Sequence, residues 1–113
     1  VLVGDAAHTV PPTGAKGLNL ALADVGILAD VIPRALASGD MDVLDEYAER
    51  ALDRIWKVES FSYWMTQMLH LRPDGDAFDV HRQVGELRRI VTSDRGSAYL
   101  AEAYTGWPES TRG

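Results

Sequence analysis

The sequence predicts a mainly α chain, about four helices after a short strand end. Three observations predict it. Apolar residues recur at i, i+3 and i+4 through three long stretches. Glycine and proline gather between residues 4 and 17 and again at 72–75, where they punctuate those stretches. Only Val1-Leu2-Val3 has the β-branched character of a strand, and a lone strand is not stable by itself.

In chain order, Val1–Val3 reads as the tail of a buried strand whose sheet partners lie elsewhere, stopped by Gly4. Pro11, Pro12, Thr13, Gly14 and Gly17 then make an ordered loop, because proline lacks an N–H and glycine admits unusual φ. The first helix carries Leu18, Ala21, Leu22, Val25, Leu28, Ala29, Ile32 and Leu36 on an apolar stripe and stops at Ser38-Gly39, with Pro33 expected to kink or shorten it. Asp40 is positioned to cap a second, longer helix reaching about Leu69, with Leu44, Tyr47, Ala48, Ala51, Leu52, Ile55, Phe61, Met65 and Met68 as its stripe.

Arg72-Pro73-Asp74-Gly75 is a turn, and Asp76 with Asp79 resembles a capping pair for a third helix through Phe78, His81, Val84, Leu87 and Val91. A short fourth helix covers Gly96–Ala103, and Thr105-Gly106-Trp107-Pro108 breaks it. Residues 1–19 thus form a strand end and loop and residues 20–113 a helical region, one unit without repeats or a flexible linker. The chain starts with Val1 in the midst of these elements, so it is expected to be the C-terminal part of something longer, packed on a sheet it does not contain.

Composition narrows the function. Seventeen acids against eleven bases give a net charge of −6, which argues against nucleic acid and anionic membrane as partners; Arg88-Arg89 reads as a solvated helix face. With no cysteine, disulfides and thiolate metal sites are excluded and a reducing compartment is permitted. Asp24 and Asp30 interrupt the most hydrophobic stretch, so no run approaches the ~18 residues of a spanning helix. His8, His70 and His81 lack metal-ligand spacing, and no metal is expected.

The loop between Gly4 and Asn19 holds the chemistry. Asp5, at a strand's C-terminal edge, either caps the following turn or accepts from a sugar or polyol hydroxyl. The helix starting near Gly17 aims its unpaired N–H groups and its positive dipole end back at the loop, and Lys16 adds a full charge. The spacing is not that of a P-loop, which argues against a Walker-type nucleotide site and leaves a flat, delocalised anion open. Pro11-Pro12 is either a rigid turn or a segment presenting bare carbonyl acceptors.

Gly4-Asp5-Ala6-Ala7-His8 followed by Pro11-Pro12-Thr13-Gly14-Ala15-Lys16-Gly17-Leu18-Asn19 resembles the second FAD-binding motif of the flavoprotein aromatic hydroxylases. The likeness continues through Arg54-Ile55-Trp56-Lys57, Phe61-Ser62-Tyr63-Trp64-Met65-Thr66, Asp76-Ala77-Phe78 and Tyr104-Thr105-Gly106-Trp107-Pro108, and so covers nearly the whole chain. It implies a helical part of an α/β FAD-binding monooxygenase fold. Lys16, where many relatives carry glutamine, is typical of members that act on 4-hydroxybenzoate.

The resemblance further implies residue roles. Gly4, Asp5, Thr13, Gly14, Lys16, Gly17, Leu18 and Asn19 would bind FAD, Asp5 at the ribityl chain and Gly17 to Asn19 at the isoalloxazine ring. Lys16 and the helix end would stabilise the anionic reduced flavin. The Pro12 carbonyl would lie beside the bound phenol, and Tyr104 would belong to a relay drawing off the phenolic proton. Trp56, Trp64, Met65 and Met68 read as core or subunit contact. The implied whole is a cytoplasmic homodimer that uses NAD(P)H and O2 to hydroxylate a phenol, 4-hydroxybenzoate to 3,4-dihydroxybenzoate. The ADP-binding glycine fingerprint and the substrate-carboxylate residues are expected upstream. Another monooxygenase with the same motif, or a helical interaction module without ligand, are the competing readings.

Overall fold

A computed structural model describes residues 1–107. It is built from four helices, α1 (Gly17–Ser38), α2 (Asp45–Leu69), α3 (Ala77–Val91) and α4 (Asp94–Thr105), with short 3-10 turns at Gly4–Ala6 and Met41–Leu44. The mainly α expectation holds. Val3 is extended (φ −140°, ψ 143°), yet no strand forms among the described residues, because no neighbouring chain supplies the ladder. Val1 and Leu2 are exposed rather than buried as expected.

α1 continues past Pro33, so the early end expected there does not occur, and closes where the Gly39 amide donates to the Ala35 carbonyl at 2.9 Å. Its buried face is also not the one expected. Leu20, Asp24, Ile27, Val31 and Ala35 face inward, while Leu18, Leu22, Val25, Ile32 and Leu36 of the expected stripe are exposed. Both registers fit a 3.6 period, so α1 carries two apolar faces and spacing alone does not choose between them.

Asp40 accepts the Asp42 amide at 3.0 Å and so caps the 3-10 turn, which passes directly into α2. Arg34 donates to both Glu46 carboxylate oxygens (3.2 and 2.5 Å) and Arg50 to Asp30 Oδ2 (2.8 Å), fastening the end of α1 to the start of α2. The Arg50 hydrogen bond holds the Asp30 carboxyl below the usual range, and Arg34 does the same for Glu46.

Asp76 caps α3 by accepting the Asp79 amide at 3.0 Å, as the sequence indicates. α4 starts two residues earlier than expected because Ser93 caps it, its hydroxyl accepting the Gly96 amide at 3.3 Å. Gly96 is required there: a Cβ would lie 2.6 Å from the Ile90 carbonyl oxygen. Pro108, expected in the break after α4, lies outside the described residues. No residue of α3 is buried, and Phe78, Val84, Leu87 and Val91 of its expected stripe stay exposed because α3 packs only along its Ile90 edge.

Two separate clusters make the core. Ile27 and Val31 of α1 meet Tyr47 and Ala51 of α2, and 20 Å or so along α2 Phe61, Met65 and Met68 meet Ala103 of α4. α2 is the spine common to both. Among the described residues no helix is long and apolar enough to cross a membrane, and no group of three potential metal ligands occurs.

Candidate functional site

The Gly4–Asn19 loop folds against α1 and the middle of α2. Gly4 has φ +62°, and a Cβ there would touch Ala21 Cβ at 3.4 Å, so the left-handed conformation and the approach to α1 both call for glycine. The Ala7 and His8 amides donate to the Gly4 carbonyl (2.8 and 3.0 Å), closing the turn that exposes Asp5. Asp5 thereby sits beside the start of α1, its Oδ1 4.0 Å from where a Cβ on Gly17 would be.

The turn Pro12–Ala15 closes through the Pro12 carbonyl, which accepts the Ala15 amide at 2.9 Å. One lone pair of that oxygen is therefore spent, so the carbonyl is a partly used acceptor rather than the bare one envisaged from sequence. Thr13 and Thr66 hydroxyls lie 2.8 Å apart, and Thr66 also sits 2.8 Å from the Ser62 carbonyl. A hydroxyl has one proton, so Thr13 donates to Thr66 and Thr66 to Ser62, which ties the loop to α2. Gly14 (φ +93°) passes close to Phe61 of α2.

Lys16 is 5% exposed. Its ammonium donates to the Tyr104 carbonyl in the last turn of α4 and lies 4.9 Å from the Tyr104 ring centroid and 5.7 Å from that of Phe61. A helix C-terminus and two aromatic faces thus receive the charge. Burial lowers the Lys16 pKa from the ordinary lysine value. Lys16 also occupies the N-cap position of α1 without a side-chain cap, and no acidic residue stands in the first turn, so the first amides of α1 at Gly17, Leu18 and Asn19 have no side-chain partner from that position. Leu18 and Asn19 are exposed beside them.

Tyr104 is half exposed and meets Phe61 edge-on, with centroids 6.5 Å apart at 75°. The structure therefore brings Lys16, Phe61 and Tyr104 to one point. Trp56 stands exposed on α2, whereas Trp64 donates its indole N–H to Glu86 at 2.7 Å and Met65 and Met68 are core.

Sequence reasoning passed over one residue of the site. Asp24 is 1% exposed, and its Oδ2 accepts both the Gly4 amide (2.9 Å) and His8 Nε2 (2.7 Å). A signal was available: Leu20, Asp24, Ile27, Val31 and Ala35 form an inward register with a carboxylate inside it, and a buried carboxylate demands partners. His8, which looks solitary in the sequence, is that partner. Its Nδ1, like Ser62 Oγ, is buried without a hydrogen-bond partner among the described residues.

Comparison with known proteins bears on this arrangement. A family model described as an FAD binding domain matches residues 1–62. The chain is 46% identical over 107 residues to p-hydroxybenzoate hydroxylase of Acinetobacter baylyi, covering 95% of this chain and 26% of that protein. It is 31% identical over 111 residues to an FAD-dependent monooxygenase of Emericella nidulans, covering 91% of this chain and 23% of the relative. Protoasukamycin 4-monooxygenase of Streptomyces nodosus is 33% identical over 70 residues, 56% of this chain and 17% of its own length. The chain spans about a quarter or less of these relatives.

Proposed function

We propose, from the premise that this chain belongs to the FAD-binding family of flavoprotein aromatic hydroxylases, that it forms part of an enzyme hydroxylating a phenol ortho to its hydroxyl group. FAD, NAD(P)H and O2 are its cofactor and co-substrates, and 4-hydroxybenzoate, yielding 3,4-dihydroxybenzoate, is its substrate. The 46% identity to p-hydroxybenzoate hydroxylase across 95% of the chain supports that substrate.

The observation that carries the reading is the start of α1: first-turn amides without a side-chain cap, next to an exposed Asp5. Those residues fit a flavin. Asp5 accepts from ribityl hydroxyls, and the amides of Gly17, Leu18 and Asn19 donate to the electron-rich edge of the ring. Gly4 and Gly14 let the loop close on Ala21 of α1 and Phe61 of α2, while Thr13 holds it through Thr66. Bound FAD supplies the transfer of electrons from NAD(P)H and the activation of oxygen.

The chain's own residues bind, orient and move a proton. Lys16 contributes positive charge behind the loop, the Pro12 carbonyl keeps one lone pair for the substrate, and the Tyr104 hydroxyl passes the phenolic proton outward, leaving a more electron-rich ring for attack. We assign the intact enzyme to the cytoplasm, in keeping with the NAD(P)H it consumes, and to a homodimer, which the exposed Trp56 and Tyr99 beside an open cavity of about 410 Å3 support.

The test is the FAD content of the intact protein, followed by its oxidation of NAD(P)H. A burst of consumption with 4-hydroxybenzoate and formation of 3,4-dihydroxybenzoate is expected. Consumption stimulated by a different aromatic acid would move the substrate, and absence of bound FAD would overturn the reading.

A further inference from the structure

We infer that Asp24 is the positioning residue of the flavin loop: one buried carboxylate oxygen holds both ends of the segment that presents Asp5. This rests on the reading of Asp5 as a flavin contact. Asp24 Oδ2 accepts the Gly4 amide at 2.9 Å and His8 Nε2 at 2.7 Å, and the second bond requires a proton on Nε2. Between those two anchors, Asp5, Ala6 and Ala7 are all exposed. Asp5 is the only one of the three with a polar side chain.

Burial explains why the arrangement is specific. A carboxylate at 1% exposure is tolerated only where polar partners replace water; the loop supplies the Gly4 amide and His8 Nε2, and the Tyr47 hydroxyl of α2 lies against the same carboxylate. If the loop leaves α1, the buried Asp24 side chain loses two of its hydrogen bonds. Tyr47 of α2 completes the hold on the near side, its hydroxyl donating to the Leu2 carbonyl at 2.8 Å. Gly4 abuts Ala21, one helical turn before Asp24, so residue 4 is fixed by contact and by hydrogen bond together. With residues 4 and 8 tied to α1, the place of Asp5 beside Gly17 follows.

The experiment is a double-mutant cycle in the intact protein, read as FAD affinity of the apoprotein by flavin fluorescence, with amide hydrogen exchange and thermal melting recorded alongside. Asp24→Leu keeps the branching at Cγ, with bulkier methyl groups, and removes the acceptor; Asp24→Asn restores an oxygen in the same place at nearly the same volume. Asp5→Ala alone is expected to weaken FAD by about tenfold. Asp24→Leu should weaken it at least as much, Asp24→Asn should recover most of the loss, and adding Asp5→Ala to Asp24→Leu should cost little more. A merely structural Asp24 would lower the melting temperature while the Asp5→Ala penalty stayed whole in its background, and that additivity overturns the proposal.

Exchange separates the clamp from the flavin reading. The Gly4 amide should be protected in the apoprotein and fast in Asp24→Leu. Equal protection in both overturns the clamp whatever FAD does, whereas lost protection with an Asp5→Ala variant of normal FAD affinity keeps the clamp and overturns the role of Asp5. If Asp24→Leu does not fold, the same readings are taken on His8→Phe, which removes one of the two donors.

Discussion

A buried ammonium needs partners, and Lys16 finds them in the Tyr104 carbonyl and two aromatic faces. Two variants divide its neighbourhood by role. Lys16→Met keeps the length of the side chain and removes the charge, so in the intact enzyme the flavin midpoint potential should fall. Each kcal/mol of lost stabilisation of a two-electron-reduced anion corresponds to about 20 mV. A redox titration checks it, and an unchanged potential would put the ammonium's field out of reach of the ring. Tyr104→Phe keeps the ring against Phe61 and deletes only the hydroxyl. FAD binding and melting should be close to wild type, since Tyr104 is half exposed, while product formed per NAD(P)H consumed should drop and the bound phenol should ionise less readily. Wild-type coupling together with an unchanged ultraviolet titration of the bound substrate would remove Tyr104 from the proton path.

Among the elements, α1 and α2 carry the lesson about legibility. The C-terminal ends of α1 and α2 and the Asp76 cap were readable because each depends on local chemistry, a glycine after the last turn, an uninterrupted run of helix formers, an Asx cap, whereas Asp40 caps the 3-10 turn and α2 itself starts later, at Asp45. The inward face of α1 was not readable, because Leu18-Leu22-Val25 and Leu20-Ile27-Val31 are equally regular and only tertiary contacts decide between them. Asp24 was hidden for the same cause: on the wrong face it is merely a break in a hydrophobic run. The turns of the loop were more legible, since glycine and proline announce backbone geometry directly, although the reach of the Lys16 side chain to α4 depends on a residue 88 positions away. Tyr47 supplies the prediction at this scale. Burial first, then the Asp24 charge, raises its pKa above the ordinary value. Its contribution is therefore whole below about pH 10, the unfolded value, and is lost as pH rises through the folded value. Unfolding free energy measured by denaturant should decline above about pH 10, and Tyr47→Phe should flatten that decline while costing about 1 kcal/mol at neutral pH for the lost bond to Leu2. A decline of equal slope in the variant would assign it elsewhere.

For the whole molecule, the radius of gyration is 18.0 Å against about 13 Å for a compact chain of this length. The extents of 61 × 31 × 17 Å describe an elongated, flat body with room for about two layers of helix across its thinnest direction. So thin a body cannot enclose both sides of its helices, and the exposed apolar faces of α1 and α3 follow from it. The 113-residue chain by itself should therefore not retain FAD: incubated with the cofactor and desalted, it should be colourless, and a yellow eluate would show that the loop and α1 suffice. The Lys16 bond to the last turn of α4 has a further consequence, that of thermodynamic linkage. The loop leads into one core cluster, α4 belongs to the other, and the lysine joins them across 88 residues of sequence. Whatever ligand favours the loop with Lys16 engaged also favours an ordered α4 terminus, and the coupling is reciprocal. A change at the far end of α4 then alters affinity at the loop by the same factor by which the ligand steadies α4, although no atom of α4 need touch it.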